Sequence, residues 1–259
     1  MIKSHENYRE LVIRLAKTDF KLRYHGSYLG YLWAILKPLL MFTVLNFVFS
    51  TLFHLGGISD PYYSLELLTG LLIFNFFAEG TTTGLTSLVS KAQLVTKIYV
   101  PRWTIVLGST MNSLFVFGMN LIVLAFFFIL YNKVPSFFGI VMFLIYAILL
   151  YVLIVAFSLL TAPFYVRFRD LSMIWEVLLS ILMYAAPIVY PITLVPEKFR
   201  QIFLLNPLAF IINYSKQSLV FDQYTNFWHF LILFFSIVIV FVVSALIFRK
   251  SERKVAELI

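Results

Sequence analysis

The sequence predicts an all-α membrane protein with six transmembrane helices, and three observations carry that reading. Of 259 residues, 61% are hydrophobic and only 12% charged, about half the charge of an average soluble domain. The apolar residues fall into six runs near the ~20 residues that cross a bilayer. The cations collect on alternate connections between those runs. Such hydrophobicity excludes disorder. Cysteine is absent, which removes disulfides, thiol catalysis and thiolate metal sites.

Residues 1–28 read as a cytoplasmic amphipathic interface helix and 29–259 as the transmembrane domain. Asn7 with Glu10 three positions later is a helix start. Tyr8, Leu11, Val12, Leu15 and Leu22 share an apolar face, and Arg9, Arg14, Lys17 and Lys21 lie mostly elsewhere. A helix of this kind lies in the interface plane. Its amphipathicity alone fits either an anchor on membrane lipids or a dock for a cytosolic partner. No cleavable leader is expected, because the segment before the first apolar run is long and charged and no small-residue cleavage site follows.

The six spans run from Tyr31 to Phe53, Leu65 to Thr83, Ile105 to Tyr131, Phe138 to Ala162, Met173 to Tyr190 and Phe227 to Phe248. Between the second and third, Leu85, Leu88, Val89 and Ala92 suggest a short amphipathic helix, either a solvated loop helix or a lever, which Pro101 ends. Between the fifth and sixth, Pro187, Pro191, Pro196 and Pro207 bound the short apolar segments Phe199 to Leu205 and Leu208 to Ile212. Each is too short to span, which predicts re-entrant helices.

Orientation follows from the cations. Lys3, Arg9, Arg14, Lys17, Lys21, Arg23 and Lys37 lie before or just inside the first span. Lys91, Lys97 and Arg102, then Arg167 and Arg169, then Arg249, Lys250, Arg253 and Lys254 fall on the same side, leaving Lys133, Lys198, Arg200 and Lys216 on the other. Cytoplasmic loops collect Lys and Arg, so both termini are expected in the cytoplasm. The net charge of +8 is then a topology signal, and no nucleic-acid partner is expected.

Ionisable groups within spans are costly and worth a hypothesis. Glu79 is the clearest, and it is expected to be the satisfied partner of a helix-end cation, since no second acid or histidine continues a proton relay. His5, His25, His54 and His229 have no metal-ligand spacing. Phe42, Asn46, Phe49 and Phe53 recur at helical spacing. An amide facing lipid would lack partners, so this face looks at protein or a water-filled lumen. Ser109, Asn112, Ser113 and Asn120 mark a second polar face, read as helix packing. Trp175, Tyr184 and Tyr190 add flat aromatic surface, suited to stacking on sugars or to bulk packing; composition alone favours packing. The phosphate loop, dinucleotide fingerprint, G-x-S-x-G and H-E-x-x-H motifs are missing. The chain is therefore not read as an enzyme, and ATP, if used, would be bound by another polypeptide.

Lys21-Leu22-Arg23-Tyr24-His25-Gly26-Ser27-Tyr28-Leu29-Gly30-Tyr31-Leu32-Trp33, followed by Lys37-Pro38-Leu39, resembles the opening of ABC-2 type permeases that export polysaccharides. Tyr165-Val166-Arg167-Phe168-Arg169-Asp170-Leu171 resembles a second segment of that family, and Tyr99-Val100-Pro101 and Asn206-Pro207 fit other recurrent positions. The resemblance covers essentially the whole chain and looks nearest to membrane subunits of bacterial O-antigen or teichoic acid exporters. It implies the type V ABC exporter fold in the bacterial inner membrane, with two copies forming a channel for a lipid-linked polysaccharide. Two separate ATP-binding-cassette subunits would dock beneath and hold ATP and Mg. It also implies an ATPase contact through Arg9, Arg14, Lys17, Lys91, Arg167, Arg169 and Asp170. The channel would be lined by Phe42, Asn46, Phe49, Phe53, Tyr184 and Tyr190. A drug or small-lipid exporter of the same class is the alternative. A secondary transporter or ion channel would need coupled ionisable groups or a filter, and a membrane glycosyltransferase or acyltransferase an interfacial carboxylate or histidine cluster; the sequence offers neither.

Overall fold

A computed structural model of the chain describes residues 8–54, 62–97 and 100–255. The expected cap Asn7, Lys3, His5 and the expected loop-helix end at Tyr99 lie outside them. Among the described residues there are ten α-helices and no strand. In order they are α1 (Tyr8–Tyr24), α2 (Trp33–Asn46), α3 (Tyr63–Ser90), α4 (Ala92–Lys97), α5 (Arg102–Leu130), α6 (Phe137–Arg167), α7 (Leu171–Ala185), α8 (Glu197–Leu205), α9 (Pro207–Val220) and α10 (Phe227–Val255). A 3-10 turn, Gly30–Leu32, leads into α2, and π-helical turns, Phe47–Leu52, prolong it.

Four helical stretches are long and apolar enough to cross a membrane: Gly30–Leu52, Arg102–Leu130, Phe137–Arg167 and Phe227–Glu252. The other two expected spans differ for separate reasons. Helix α3 has the length, at 28 residues, but carries Asn75, Glu79 and three consecutive threonines. It is the central helix, packed against α2, α5, α6, α7 and α9, and Leu65, Leu67, Leu68, Leu71 and Leu72 are all buried. A helix covered by protein packs through small and polar residues as well as apolar ones. Helix α7 is apolar but has 15 residues, about 22 Å at 1.5 Å per residue, against a hydrocarbon core of ~30 Å. The helix of the expected fifth span ends at Ala185, not Tyr190, because Pro187 has no N–H with which to continue it.

The second expected span is also longer than anticipated. Helix α3 passes through the threonines to Ser90, and only α4 forms a separate short helix. Thr81, Thr83 and Thr86 donate their hydroxyls to the carbonyls of Phe77, Glu79 and Thr82 one turn back. The polar run thus satisfies itself without breaking the backbone ladder.

Two close approaches set the core. A Cβ on Gly84 would lie 2.0 Å from Ser158 Oγ, and one on Gly80 2.7 Å from Ile154 Cγ2. The Gly80-x-x-x-Gly84 face therefore lets α3 press backbone-close onto α6. On α5, Ser109, Asn112, Ser113 and Asn120 are buried, with Asn120 Nδ2 donating to Val116 O at 2.9 Å.

After α7 follow the short helices α8 and α9. Asn206 caps α9, its side-chain oxygen accepting from Leu208 N at 3.0 Å, with Pro207 in the first turn, where a missing N–H costs nothing. Leu208–Ile212 is buried, with α9 set against α3 and α6. Lys216 is buried, and its ammonium donates to Pro187 O at 2.6 Å and Ile188 O at 2.8 Å. Tyr63 donates its hydroxyl to Val189 O. Lys216→Met keeps the apolar stem but strips both carbonyls of their donor, at about 1–3 kcal/mol for each buried group left unpaired. It is expected to lower the thermal midpoint in detergent well beyond Lys198→Met on the exposed side of α8.

Val44 on α2, Phe47 in the π-helical turns that follow it, Ile122 and Ile129 on α5, Val177 and Ile181 on α7, and Ile232, Ile239 and Val243 on α10 are exposed. Apolar surface of this extent belongs against lipid or another chain.

Candidate functional site

The basic end of the bundle is organised by α1, which lies along α5. Tyr8 meets the Trp103 ring edge-on at 5.9 Å between centroids, and Phe20 meets Phe115 at 6.0 Å. Gly108 makes room for it: a Cβ there would sit 2.9 Å from that of Leu15. Leu22, expected on the buried face, is exposed. Two ion pairs bracket the helix. Lys91 pairs with Asp19 and also donates to Ser109 Oγ at 3.0 Å, and Arg23 pairs with Glu79. The expected helix-end partner of Glu79 is thus Arg23.

The residues expected to meet an ATPase divide into two groups. Arg9, Arg14 and Lys17 are exposed on α1, and Arg167, Arg169 and Asp170 are exposed at the α6–α7 turn. Arg14 makes only a one-turn pair with Glu10, worth a few tenths of a kcal/mol; Arg169 lies over the Tyr165 ring at 5.4 Å. Lys91 differs, because its side chain is only 11% exposed and is engaged inside the protein. It fastens α1 to the bundle instead of extending the free basic surface.

Helix α1 stops at Tyr24, and Gly26, at φ 76°, reverses the chain toward α2 in the left-handed region that suits glycine. Beneath this turn opens a cavity of about 730 Å³. Its polar wall carries Arg23, Lys37, Asn75, Glu79 and Thr82, and its apolar wall Trp33, Leu40, Met41 and Val44 from α2. Burial pushes the Tyr24 phenol up from its ordinary value; Arg23 opposes this and Glu79 adds to it. At neutral pH Tyr24 is therefore an uncharged donor at the rim. Arg23 and Lys37 were not singled out for a site from the sequence, although both stand in the opening string. The available signal was a carboxylate and a lysine, each within an apolar run.

The residues expected to line a channel lie outside this cavity. Phe53 is 65% and Tyr184 66% exposed. Phe49 is half-buried and stacks on Phe53 at 5.7 Å. Tyr190 donates its hydroxyl to Tyr184 O at 2.8 Å. Asn46 accepts a hydrogen bond from Ser64 Oγ at 2.8 Å, so its polar environment is protein. Phe42 is buried edge-on against Phe127 at 5.1 Å, inside the core of the chain. Trp175 also turns inward, donating to Thr81 Oγ1 at 3.1 Å and lying 4.0 Å from the Phe157 ring. Of the aromatic stripe, Phe53 and Tyr184 offer the open ring surface.

The chain is similar in sequence to known proteins. Two proteins called O-antigen export system permease protein RfbA, both from Klebsiella pneumoniae, are 30% identical over 250 residues, covering 96% of this chain and 95% of theirs. A protein of the same description from Myxococcus xanthus is 27% identical over 218 residues, covering 83% of this chain and 82% of its own. The sequence pattern of the ABC-2 type transporter matches residues 10–220. With four membrane-capable helices and a match over most of its length, the chain is a multi-pass membrane protein and belongs to the ABC-2 type transporter family.

Proposed function

We propose that this chain is the permease subunit of an ATP-driven exporter that moves a lipid-linked polysaccharide, O-antigen-like or teichoic-acid-like, across the bacterial inner membrane. Two copies form the path, and two ATP-binding-cassette subunits, holding ATP and Mg, dock on the basic end. In this reading α2, α3, α5, α6, α7 with its following turn, and α10 cross the membrane. Both termini are cytoplasmic, residues 1–28 form the interface segment ahead of the domain at 29–259, and α8 and α9 form a re-entrant pair. The observation that carries the reading is α1, bracketed to the bundle by two ion pairs while Arg9, Arg14 and Lys17 stay exposed. A helix held in this way transmits a partner's movement to α3 and α5. The names of the three relatives supply the cargo class.

Sugar rings slide along flat aromatic faces through weak, repeated contacts, since tight binding would stall passage. Phe53 and Tyr184 are the open faces. The double variant Phe53→Ala and Tyr184→Ala is expected to fold normally, because both rings are exposed, and to cut polymer export several-fold in cells lacking the native chain. Phe42→Ala is the contrast: it empties core volume at about 3–5 kcal/mol and lowers the yield of folded protein. Undiminished export by the double variant would remove Phe53 and Tyr184 from the path. Co-purification with an ATP-binding-cassette subunit, followed by ATP-dependent export in vesicles, tests the reading as a whole. Transport by the chain alone, without nucleotide, would overturn it.

A further inference from the structure

Another cavity, of about 580 Å³, lies between α5, α6 and α10. Both α5 and α10 pack on α6, and the groove is the seam left between them. Its walls are Leu107 of α5, Val152 and Val155 of α6, and Phe241, Ala245 and Phe248 of α10. Tyr151 adds a hydroxyl that Thr110 Oγ1 already engages at 3.4 Å. Arg249 stands about two turns beyond Phe241 on α10, ~12 Å at 1.5 Å per residue. Its side chain is exposed and forms no hydrogen bond or ion pair with a described residue. Glu252 nearby accepts from Arg102 N at 3.3 Å, which ties α10 to the start of α5. Trp103, at the same mouth, is 37% exposed.

We infer that this groove holds an anionic phospholipid of the surrounding membrane, with one acyl chain along its apolar walls and the phosphate on Arg249. The walls belong to three of the four membrane-capable helices. Exposed Val242, Val243 and Leu246 carry the apolar surface of α10 onward from them, so a tail enters sideways from the bilayer. Two turns of apolar wall give a soluble anion nothing to bind. A zwitterionic lipid brings its own cation to the phosphate and gains less from Arg249. The charge count selects further. One guanidinium stands free, and the Glu252 carboxylate lies within a turn of it, so a second negative charge on the head is repelled. A monoanionic phosphodiester therefore fits this mouth better than a diphosphate. Basic pockets between membrane helices take anionic lipid heads, guanidinium suits phosphate, and an indole at the mouth belongs at headgroup level. Bound there, the lipid joins α5 to α10 across the seam and stabilises the native chain by mass action. The site depends on the membrane placement of these helices and not on the cargo.

The test uses the full chain in phosphatidylcholine nanodiscs, with phosphatidylglycerol brominated on its acyl chains as probe. Bromine quenches a nearby indole, and the fluorescence lost in Trp103→Phe isolates the signal from this mouth. Half-quenching is expected at a ~10-fold lower share of brominated phosphatidylglycerol than of brominated phosphatidylcholine, the worth of one charge-assisted hydrogen bond. Arg249→Gln, at an exposed side chain, removes that difference, and Lys17→Gln, at an exposed cation on α1, leaves it. Ala245→Phe fills the groove and raises the share needed several-fold. Leu107→Phe does the same from α5, and the thermal midpoint in phosphatidylcholine alone shows that the filled variant is folded. Saturating glycerol phosphate in solution leaves the quenching unchanged. Equal half-points for the two lipids, equal losses in Arg249→Gln and Lys17→Gln, native quenching in a folded filled variant, or relief by glycerol phosphate would each overturn the assignment.

Discussion

A chain carrying Gly84→Leu is expected to insert but not to assemble, giving little folded protein on extraction in mild detergent. The added Cβ would fall 2.0 Å from Ser158 Oγ, 2.5 Å from Ser158 Cβ and 2.8 Å from Thr110 Cγ2. A hydroxyl can rotate away, but a Cβ moves only with its backbone. Helices α3 and α6 must therefore separate, and α3 is the element on which α2, α5, α6, α7 and α9 all rest. Overpacking a filled core costs about 1–3 kcal/mol even where neighbours can yield, and here the whole helix contact is at stake. Gly118→Leu on α5 is the control, since a Cβ there meets nothing within 4 Å. The smaller Gly84→Ala should fail partly and be rescued by Ser158→Gly, because among the described residues the Ser158 hydroxyl serves its own helix, donating to Ile154 O. Rescue isolates the contact as the cause, and full folding of Gly84→Leu would show that α3 and α6 are not held at this distance.

Under the proposed function, reversing charge at Arg14, Lys17, Arg167 and Arg169 is expected to separate the chain from the ATP-binding-cassette subunit and leave the membrane bundle intact. All four are exposed, and none has an ion-pair partner beyond its own helical turn among the described residues. One such charge is worth little, because exposed pairs contribute at most about 1 kcal/mol. Four reversals also place like charges against whatever acidic surface docks there, which costs several kcal/mol. Affinity for the ATPase should fall by ~100-fold or more, at ~1.4 kcal/mol per factor of ten, and salt should weaken the native complex in parallel. Pull-down across a salt series, with the thermal midpoint measured on the same samples, reads both quantities. Lys91→Glu is expected to behave differently. It breaks the bracket to Asp19 and Ser109, so its thermal midpoint falls as well.

Much of the architecture was legible before any coordinates. The apolar runs from Tyr31, Ile105, Phe138 and Phe227 correspond to helices α2, α5, α6 and α10, because a lipid-facing helix must advertise itself in composition. Helix α1 was legible from its two faces, and the α8–α9 break from Asn206-Pro207. The role of Glu79 as partner of a helix-end cation was legible too, since an isolated carboxylate in a span must find one. The central helix was harder. Its polar residues truncated the run at Thr83, although burial by neighbours removes the need for a continuous apolar surface. The aromatic stripe was divided in a way periodicity cannot see: residues one turn apart share a face, yet Phe42 meets α5 while Phe53 meets open space.

The order of residues alone therefore determined that this is a helical membrane chain, where its basic side lies and which charges needed partners. Those properties follow from the cost of placing each residue type in lipid or water, and that cost is local. The tertiary structure alone decided that Lys91 serves Asp19 and not a free surface, that Phe42 is core, and that Arg23, Lys37 and Glu79 share one cavity. Each of these depends on which helix lies beside which, and contacts between residues far apart in the chain leave no periodic trace in either partner.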